Sequence, residues 1–115
     1  AAFQRIACIF REEPDIVEAE GWCYMLWQDN CLFERFLVLE AGQGDFYYRI
    51  PVKERLRPDV EEILPQQKNI ALSGFVCRML KEDITFGDYT VGMLYRNLAD
   101  GKQFYQRSDR VVRIG

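Results

Sequence analysis

Short apolar runs, each closed by residues typical of turns, recur along the whole of this 115-residue chain. Several runs alternate between apolar and polar residues, which is the period of a strand that buries one face. The segments 11–15, 41–45 and 99–102 carry the Gly, Pro and Asp residues that tight turns favour. About seven or eight short strands of this kind predict an all-β fold, an antiparallel two-sheet β-sandwich that is Ig-like or jelly-roll-like.

One segment departs from the strand pattern and predicts a single short helix near residues 58–64. Pro58 suits the first turn of a helix, the acidic residues after it suit the positive N-terminal end, and Pro65 then ends the helix. We expect this helix to connect the fourth and fifth strands and to carry the chain between the sheets. The predicted strands are 3–10, 16–25, 32–40, 46–53, 70–80, 88–98 and 103–106, and residues 110–114 either continue the last strand or form an eighth.

The alternation also predicts which side chains face the core. The inward sets of the fifth and sixth strands are Phe75, Cys77 and Met79, and Tyr89, Val91, Met93 and Tyr95. The third strand is apolar on both faces, which predicts a central position in its sheet. In the second strand Trp22 lies on the same side as Glu18 and Glu20. It is therefore either exposed or turned inward by a bulge at Gly21, and the usual burial of Trp favours the bulge.

Composition excludes several classes of function. The chain contains no histidine, which removes Ser-His and Cys-His nucleophile systems and His-based zinc sites. The net charge of −3 comes without a basic cluster, so we expect no nucleic-acid partner. No apolar run approaches the length of a membrane span, and no glycine loop has the pattern of a phosphate site. We therefore predict a domain that is not an enzyme and has neither a metal nor a cofactor.

The chain length and the cysteines define the expected context. Residues 1–115 are predicted to form one domain, and the Ala-Ala start without Met indicates a piece excised from a longer protein. The four cysteines have no CxxC spacing. Two disulfides are arithmetically possible, but we interpret the four residues as buried free thiols, since cytosolic proteins keep thiols reduced. The predicted location is cytoplasmic.

The aromatic side chains are the candidate binding groups, because sugar rings pack on aromatic faces while nearby polar groups bind the hydroxyls. Aromatic residues make up 14% of the chain. The predicted ligand-binding residues are Trp22, Tyr24, Trp27, Tyr47 and Glu20. The alternative, that most of these rings belong to the core, stays open, since aromatics dominate the cores of small sandwiches.

Four short motifs carry a resemblance to a known group of domains. They are Gly21-Trp22-Cys23-Tyr24, Arg57-Pro58-Asp59-Val60, Ser73-Gly74-Phe75 and Gly87-Asp88-Tyr89-Thr90-Val91-Gly92. In this order, over about residues 16–114, the chain resembles the small β-sandwich domains attached to bacterial glycosyltransferases and related enzymes of cell-surface polysaccharide or teichoic-acid synthesis. The resemblance implies an accessory module that binds glycan, positions the parent's catalytic domain or mediates assembly, and it carries over no catalytic residue.

Two functions are compatible with these residues and motifs. A carbohydrate-binding accessory domain requires a flat or concave face with at least two exposed rings. A protein–protein or homodimerisation module requires a contiguous apolar patch or an open edge strand. The strand after Gly101 is the candidate edge, guarded by Lys102, Arg107 and Arg110.

Overall fold

A computed structural model describes residues 4–25, 28–63, 66 and 69–115, with side chains of the first strand described from Cys8 onward. Two four-stranded antiparallel sheets form a β-sandwich, as predicted. Sheet A has the order β1-β2-β6-β5, and sheet B has the order β4-β3-β7-β8. The strands are β1 Gln4–Glu12, β2 Ile16–Met25, β3 Phe33–Ala41, β4 Tyr47–Pro51, β5 Lys53–Arg55, β6 Gly74–Leu80, β7 Gly87–Asn97 and β8 Gln103–Ile114.

The helical parts are short and lie between strands. The predicted helix is present as α1, Pro58–Ile63, and the residue after it, Leu64, lies outside the described residues. In the described ranges, 3-10 turns span Asn30–Leu32, Ile70–Ser73 and Lys81–Asp83. Within the described residues no helix is long and apolar enough to cross a membrane.

The change of sheet takes place before α1, which corrects the expected role of the helix. β4 belongs to sheet B and β5 to sheet A, and only Val52 separates them. Val52 is half-buried and packs against the core, so the chain passes between the sheets at this one residue. α1 then lies on the outer side of sheet A, where Val60 packs on Tyr24.

The core lies between the sheets and follows the predicted alternation. The inward sets of β6 and β7 are buried, and they pack with Val17, Ala19, Leu37 and Leu39. β3 is central in sheet B, as its two apolar faces predict. β8 is continuous, so the two segments that could have been separate strands form one edge strand.

The predicted bulge at Gly21 is wrong. Gly21 pairs with Cys8 on one side and with Phe75 on the other, and the register runs one to one into Trp22. Trp22 stays on the outer face of sheet A, where Tyr24, Val60 and Ile70 pack beside it. The 3-10 turn and α1 therefore cover the ring that the predicted bulge would turn inward. The irregularity lies instead in the β7–β8 pairing, where Thr90 pairs with Val111 and Gly92 with Arg107, so the extra residues are in β8.

Arg35 is the charged side chain that lies buried among the described residues. Strand alternation places it on the inner face of β3, and it is only 6% exposed. Its guanidinium nitrogens donate hydrogen bonds to the carbonyl oxygens of Cys23, Leu72, Ser73 and Gly74. This arginine joins sheet B to β2 and to the turn that precedes β6.

Candidate functional site

The predicted site residues lie on opposite sides of the sandwich. Trp22, Tyr24 and Glu20 belong to β2 and face outward from sheet A. Tyr47 belongs to β4 and lies on the outer side of sheet B. Trp27 lies outside the described residues. The fold therefore brings three of the five together and separates them from Tyr47.

The three residues on sheet A are held in structural contacts. The rings of Trp22 and Tyr24 stack with centroids 5.7 Å apart and planes 13° from parallel. Tyr24 is only 3% exposed, because Val60 and Ile70 cover it. The carboxylate of Glu20 bridges Arg11 at 3.3 Å and Arg55 at 2.7 Å. Hydrogen bonding from Arg11, with the positive charge of both arginines, lowers the pKa of Glu20.

Tyr47 belongs to a groove on the outer face of sheet B. The groove has a volume of about 230 Å³. We call it the sheet B groove, and it is lined by Val38, Glu40, Tyr47, Arg49, Leu94, Gln103 and Tyr105. A shallow extension of about 310 Å³ continues past Glu40 and Tyr47 towards Arg107 and the β3–β4 hairpin. The groove joins apolar, aromatic, cationic, anionic and amide groups on one surface.

The register of sheet B explains why these residues meet. Tyr47 lies opposite Glu40 in the β3–β4 pairing, and Val38 lies opposite Gly92 in the β3–β7 pairing. Gly92 leaves a gap that the ring of Tyr105 fills, since a Cβ at this position would fall within 2.7 Å of two ring carbons. Tyr105 therefore lies across the sheet and forms one side of the groove, while Tyr47 forms the other. Their exposed fractions are 40% and 64%.

Glu40 links the polar groups at one side of the groove. Its carboxylate lies 2.6 Å from Nη2 of Arg107. The hydroxyl of Tyr105 donates a hydrogen bond to Glu40, and this bond, followed by the contact with Arg107, lowers the pKa of Glu40. Burial and the same carboxylate raise the pKa of Tyr105 to about 12. The tyrosine is thus a neutral donor fixed in place by an ionised acceptor.

A second cation lies at the opposite side of the groove. The guanidinium of Arg49 is positioned over the ring of Phe36, 4.6 Å from its centroid. Phe36 is only 8% exposed although it faces away from the core, because Arg49 and Arg96 cover it. The contact with Phe36 positions Arg49 beside the sheet B groove, which it also lines, and its guanidinium has several N–H donors.

The sequence pattern identified one residue of this groove and missed its neighbours. Alternation places Tyr47 and Leu94 on outward faces, but it does not show which strands are adjacent. Tyr105 lies in a run predicted to be an edge strand, and no local signal connects its ring with Gly92. The described part of the chain also holds no group of three or more His, Cys, Asp or Glu side chains arranged to bind a metal ion.

Comparison with known proteins adds no family to this description. No family model, curated protein or solved structure matches the chain. The resemblance to domains attached to glycosyltransferases therefore stays a prediction from short motifs.

Proposed function

We propose that this chain is a non-catalytic accessory domain that binds carbohydrate in the sheet B groove. The proposal rests on the positions of Tyr47 and Tyr105, whose partly exposed rings lie on either side of one groove. Rings on either side of a groove suit the CH faces of a sugar, and the groove of about 230 Å³ with its extension of about 310 Å³ reaches the lower part of the usual size range of ligand sites.

The polar groups of the groove support the same ligand class. Arg49 donates hydrogen bonds, while Glu40 and the amide of Gln103 accept them, and all three line the groove beside the rings. Sugar hydroxyls are both donors and acceptors, so a mixed set fits them better than a set of one kind. The apolar floor of Val38 and Leu94 packs against the sugar carbons.

The proposed role in a larger protein rests on the sequence resemblance. A domain that holds a glycan without turning it over positions a neighbouring catalytic domain on its substrate. The absence of histidine from the sequence agrees with a non-catalytic role, because the commonest general base in proteins is missing. The accessory role therefore depends on glycan binding at the groove.

A glycan array probed with the labelled domain, followed by calorimetric titration of the strongest oligosaccharide, tests the proposal. Tyr47→Ala removes an exposed ring and is expected to weaken binding at least about tenfold, a loss in the range of one stacking contact. Phe86→Ala is the matched control, since its ring is 68% exposed but lies away from this groove. A Tyr47→Ala domain that binds as tightly as the parent, or an array without any bound glycan, contradicts the proposal.

A second function, homodimerisation, is favoured by the edge of sheet B. β8 spans Gln103–Ile114 at the end of the strand order, and Val111 on it is 62% exposed. Pairing of two β8 edges would extend the sheet across two copies. Sedimentation equilibrium tests this directly: a dimer that dissociates in Val111→Lys supports it, and a monomer at all concentrations excludes it.

A further inference from the structure

A second cavity opens at one end of the sandwich, where the β3–β4 hairpin meets the segment that leads into β7. Its volume is about 470 Å³. We call it the end cleft, and the described residues that line it are Ala41, Gly42, Gln43, Asp45, Phe46, Thr85, Phe86, Gly87, Asp88 and Tyr89. The hairpin residues Asp45 and Phe46 also border the extension of the sheet B groove, whereas Phe86 and Asp88 belong to the end cleft.

Aromatic rings form the walls of the end cleft. Phe86 is 68% exposed and Phe46 is 40% exposed, although both are fully apolar side chains. Phe46 packs edge-on against Tyr48 and Tyr89, with centroids 5.7 Å and 6.2 Å apart. This packing holds the ring of Phe46 in place, so that the cavity presents a fixed apolar surface to solvent.

The charge of the end cleft is negative. Asp45 and Asp88 contribute carboxylates, and among the described lining residues there is neither lysine nor arginine. The nearest described cation in contact is Arg113, whose Nη1 lies 3.5 Å from Asp88. Both side chains of this pair are mostly exposed, at 79% and 54%, so the contact is weak and easily displaced. A cationic ligand therefore meets the carboxylates of Asp45 and Asp88 beside aromatic rings, with Asp88 only weakly neutralised by Arg113.

The two sides of the end cleft are joined by hydrogen bonds. The backbone N–H of Gly42 donates to the carbonyl oxygen of Asp88 at 2.9 Å. The Tyr48 hydroxyl accepts a hydrogen bond from the backbone N–H of Thr85 at 3.0 Å, and the Tyr89 hydroxyl donates to the carbonyl oxygen of the same residue. These bonds tie the hairpin to the segment before β7. The cavity is thus formed before a ligand arrives, which lowers the entropy lost on binding.

We propose that the end cleft binds a small organic cation that carries an alkylated ammonium group. Methyl groups on the nitrogen pack against Phe46 and Phe86, while the charge is attracted to the ring faces and to Asp45 and Asp88. A neutral ligand of the same shape gains only the apolar contact. An anion is repelled by both carboxylates. The proposal does not rest on carbohydrate binding in the sheet B groove, although Asp45 and Phe46 border both the end cleft and the extension of that groove.

Titration of the ¹⁵N-labelled domain with choline, followed by amide chemical shifts, tests the proposal. The uncharged isostere 3,3-dimethyl-1-butanol is the matched ligand control. We expect choline to bind with a dissociation constant of the order of 1 mM and to shift amides in 41–46 and 85–89, with the isostere at least about fivefold weaker. Equal binding of the two ligands, shifts elsewhere in the domain, or no saturation at about 100 mM choline overturns the proposal.

Three variants separate the contributions of ring and charge. Phe86→Ala removes an exposed ring and Asp88→Asn removes one charge, and each is expected to weaken choline binding about threefold to tenfold. Arg113→Gln removes the competing cation and is expected to strengthen it about twofold. Leu98→Ala is the control and should bind choline as the parent does, since Leu98 is 62% exposed and lines neither the end cleft nor the sheet B groove. If Phe86→Ala and Asp88→Asn bind choline unchanged while their spectra stay native, the end cleft is not the site.

Discussion

Arg35 occupies an inward position of β3 where an apolar side chain is usual, and its guanidinium makes hydrogen bonds there instead. Nη1 lies 2.6 Å from the carbonyl oxygen of Ser73 and 3.2 Å from that of Cys23. Nη2 lies 3.1 Å from the carbonyl oxygens of both Leu72 and Gly74. These buried carbonyls need donors, and a planar fork with several N–H groups meets four of them at once.

Arg35→Lys tests this role because it keeps the charge and removes the fork. A single ammonium cannot reach all four carbonyls, so we expect the free energy of unfolding to fall by about 2–4 kcal/mol, measured by urea denaturation. Arg78→Lys is the control, since Arg78 is 69% exposed and pairs with Glu18 at the surface. An Arg35→Lys domain as stable as the parent would show that the carbonyls find other donors.

Gly92 determines the position of Tyr105, and a double-mutant cycle tests their coupling. Gly92→Ala places a Cβ within 2.7 Å of the ring of Tyr105 and must displace it, so we expect a loss of about 1–3 kcal/mol. In a Tyr105→Ala background the same change meets an empty space and should cost much less. Additive effects in urea denaturation would mean that the ring does not lie across Gly92.

At the scale of elements, α1 is held to sheet A by a small cluster separate from the main core. Val60 is 3% exposed and packs with Tyr24 and Ile70, whereas Ile63 on the same helix is 76% exposed. A helix of six residues has little stability of its own. Its position therefore depends on the face that carries Val60.

Val60→Ala is expected to release this helix more than the rest of the fold. The loss of two buried methyl groups costs about 1–2 kcal/mol, and amides in 58–73 should exchange with solvent faster than those of β3 and β7. Ile63→Ala alters an exposed side chain and serves as the control. Uniform acceleration of exchange across both sheets would show that α1 does not open independently.

At the scale of the whole molecule, the outer face of sheet A makes stability depend on pH. Hydrogen bonds from Arg78 and Arg11 lower the pKa values of Glu18 and Glu20 in the folded state. Groups whose folded pKa is depressed stabilise the fold above their unfolded pKa and lose this contribution as pH falls through the folded pKa. The arrangement therefore predicts a loss of stability below about pH 4.3, the ordinary glutamate value.

Urea midpoints measured from pH 7 to pH 3 test this dependence. Glu18→Gln with Glu20→Gln should reduce the loss of stability at acid pH, because both groups then no longer titrate, and Glu40 with its lowered pKa should account for part of what remains. In the parent protein, about 1 M NaCl should make the urea midpoint depend less on pH in this range, since exposed ion pairs are screened. If the double variant loses as much stability at acid pH as the parent does, the effect belongs to other carboxylates.

The reactivity of the buried thiols reports unfolding of the whole domain. Cys8, Cys23 and Cys77 are buried free thiols as predicted, whereas Cys31 is exposed, which corrects the expectation that all four are buried. Burial raises the pKa of Cys8 to about 12 and that of Cys77 to about 11, so these two groups stay protonated and unreactive.

Reaction with Ellman's reagent at pH 8 should show one fast thiol in the native protein and all four free cysteines after unfolding. Cys31→Ser should abolish the fast phase. Fast reaction of a second thiol in the native state would contradict the burial of the interior cysteines.

Local sequence patterns predicted most strands of this protein and the inward faces of β6 and β7. They did not predict β5 as a separate strand, since its first residue ended the predicted strand 46–53, or the 3-10 turn Ile70–Ser73, which lay inside the predicted strand 70–80. Alternation predicted the buried sets of β6 and β7, turn residues predicted the hairpins, and Pro58 with the acidic residues after it predicted α1. Each of these features depends on residues that are close along the chain, where backbone propensity and the two-residue period act directly.

Contacts between distant segments required the folded molecule. Folding places Tyr105 next to Tyr47, covers Trp22 with α1 instead of turning it inward, and buries Arg35 against the carbonyls before β6. These contacts depend on strand order and on the register of sheets A and B. Strand order follows from the packing of the whole core, which no local pattern encodes.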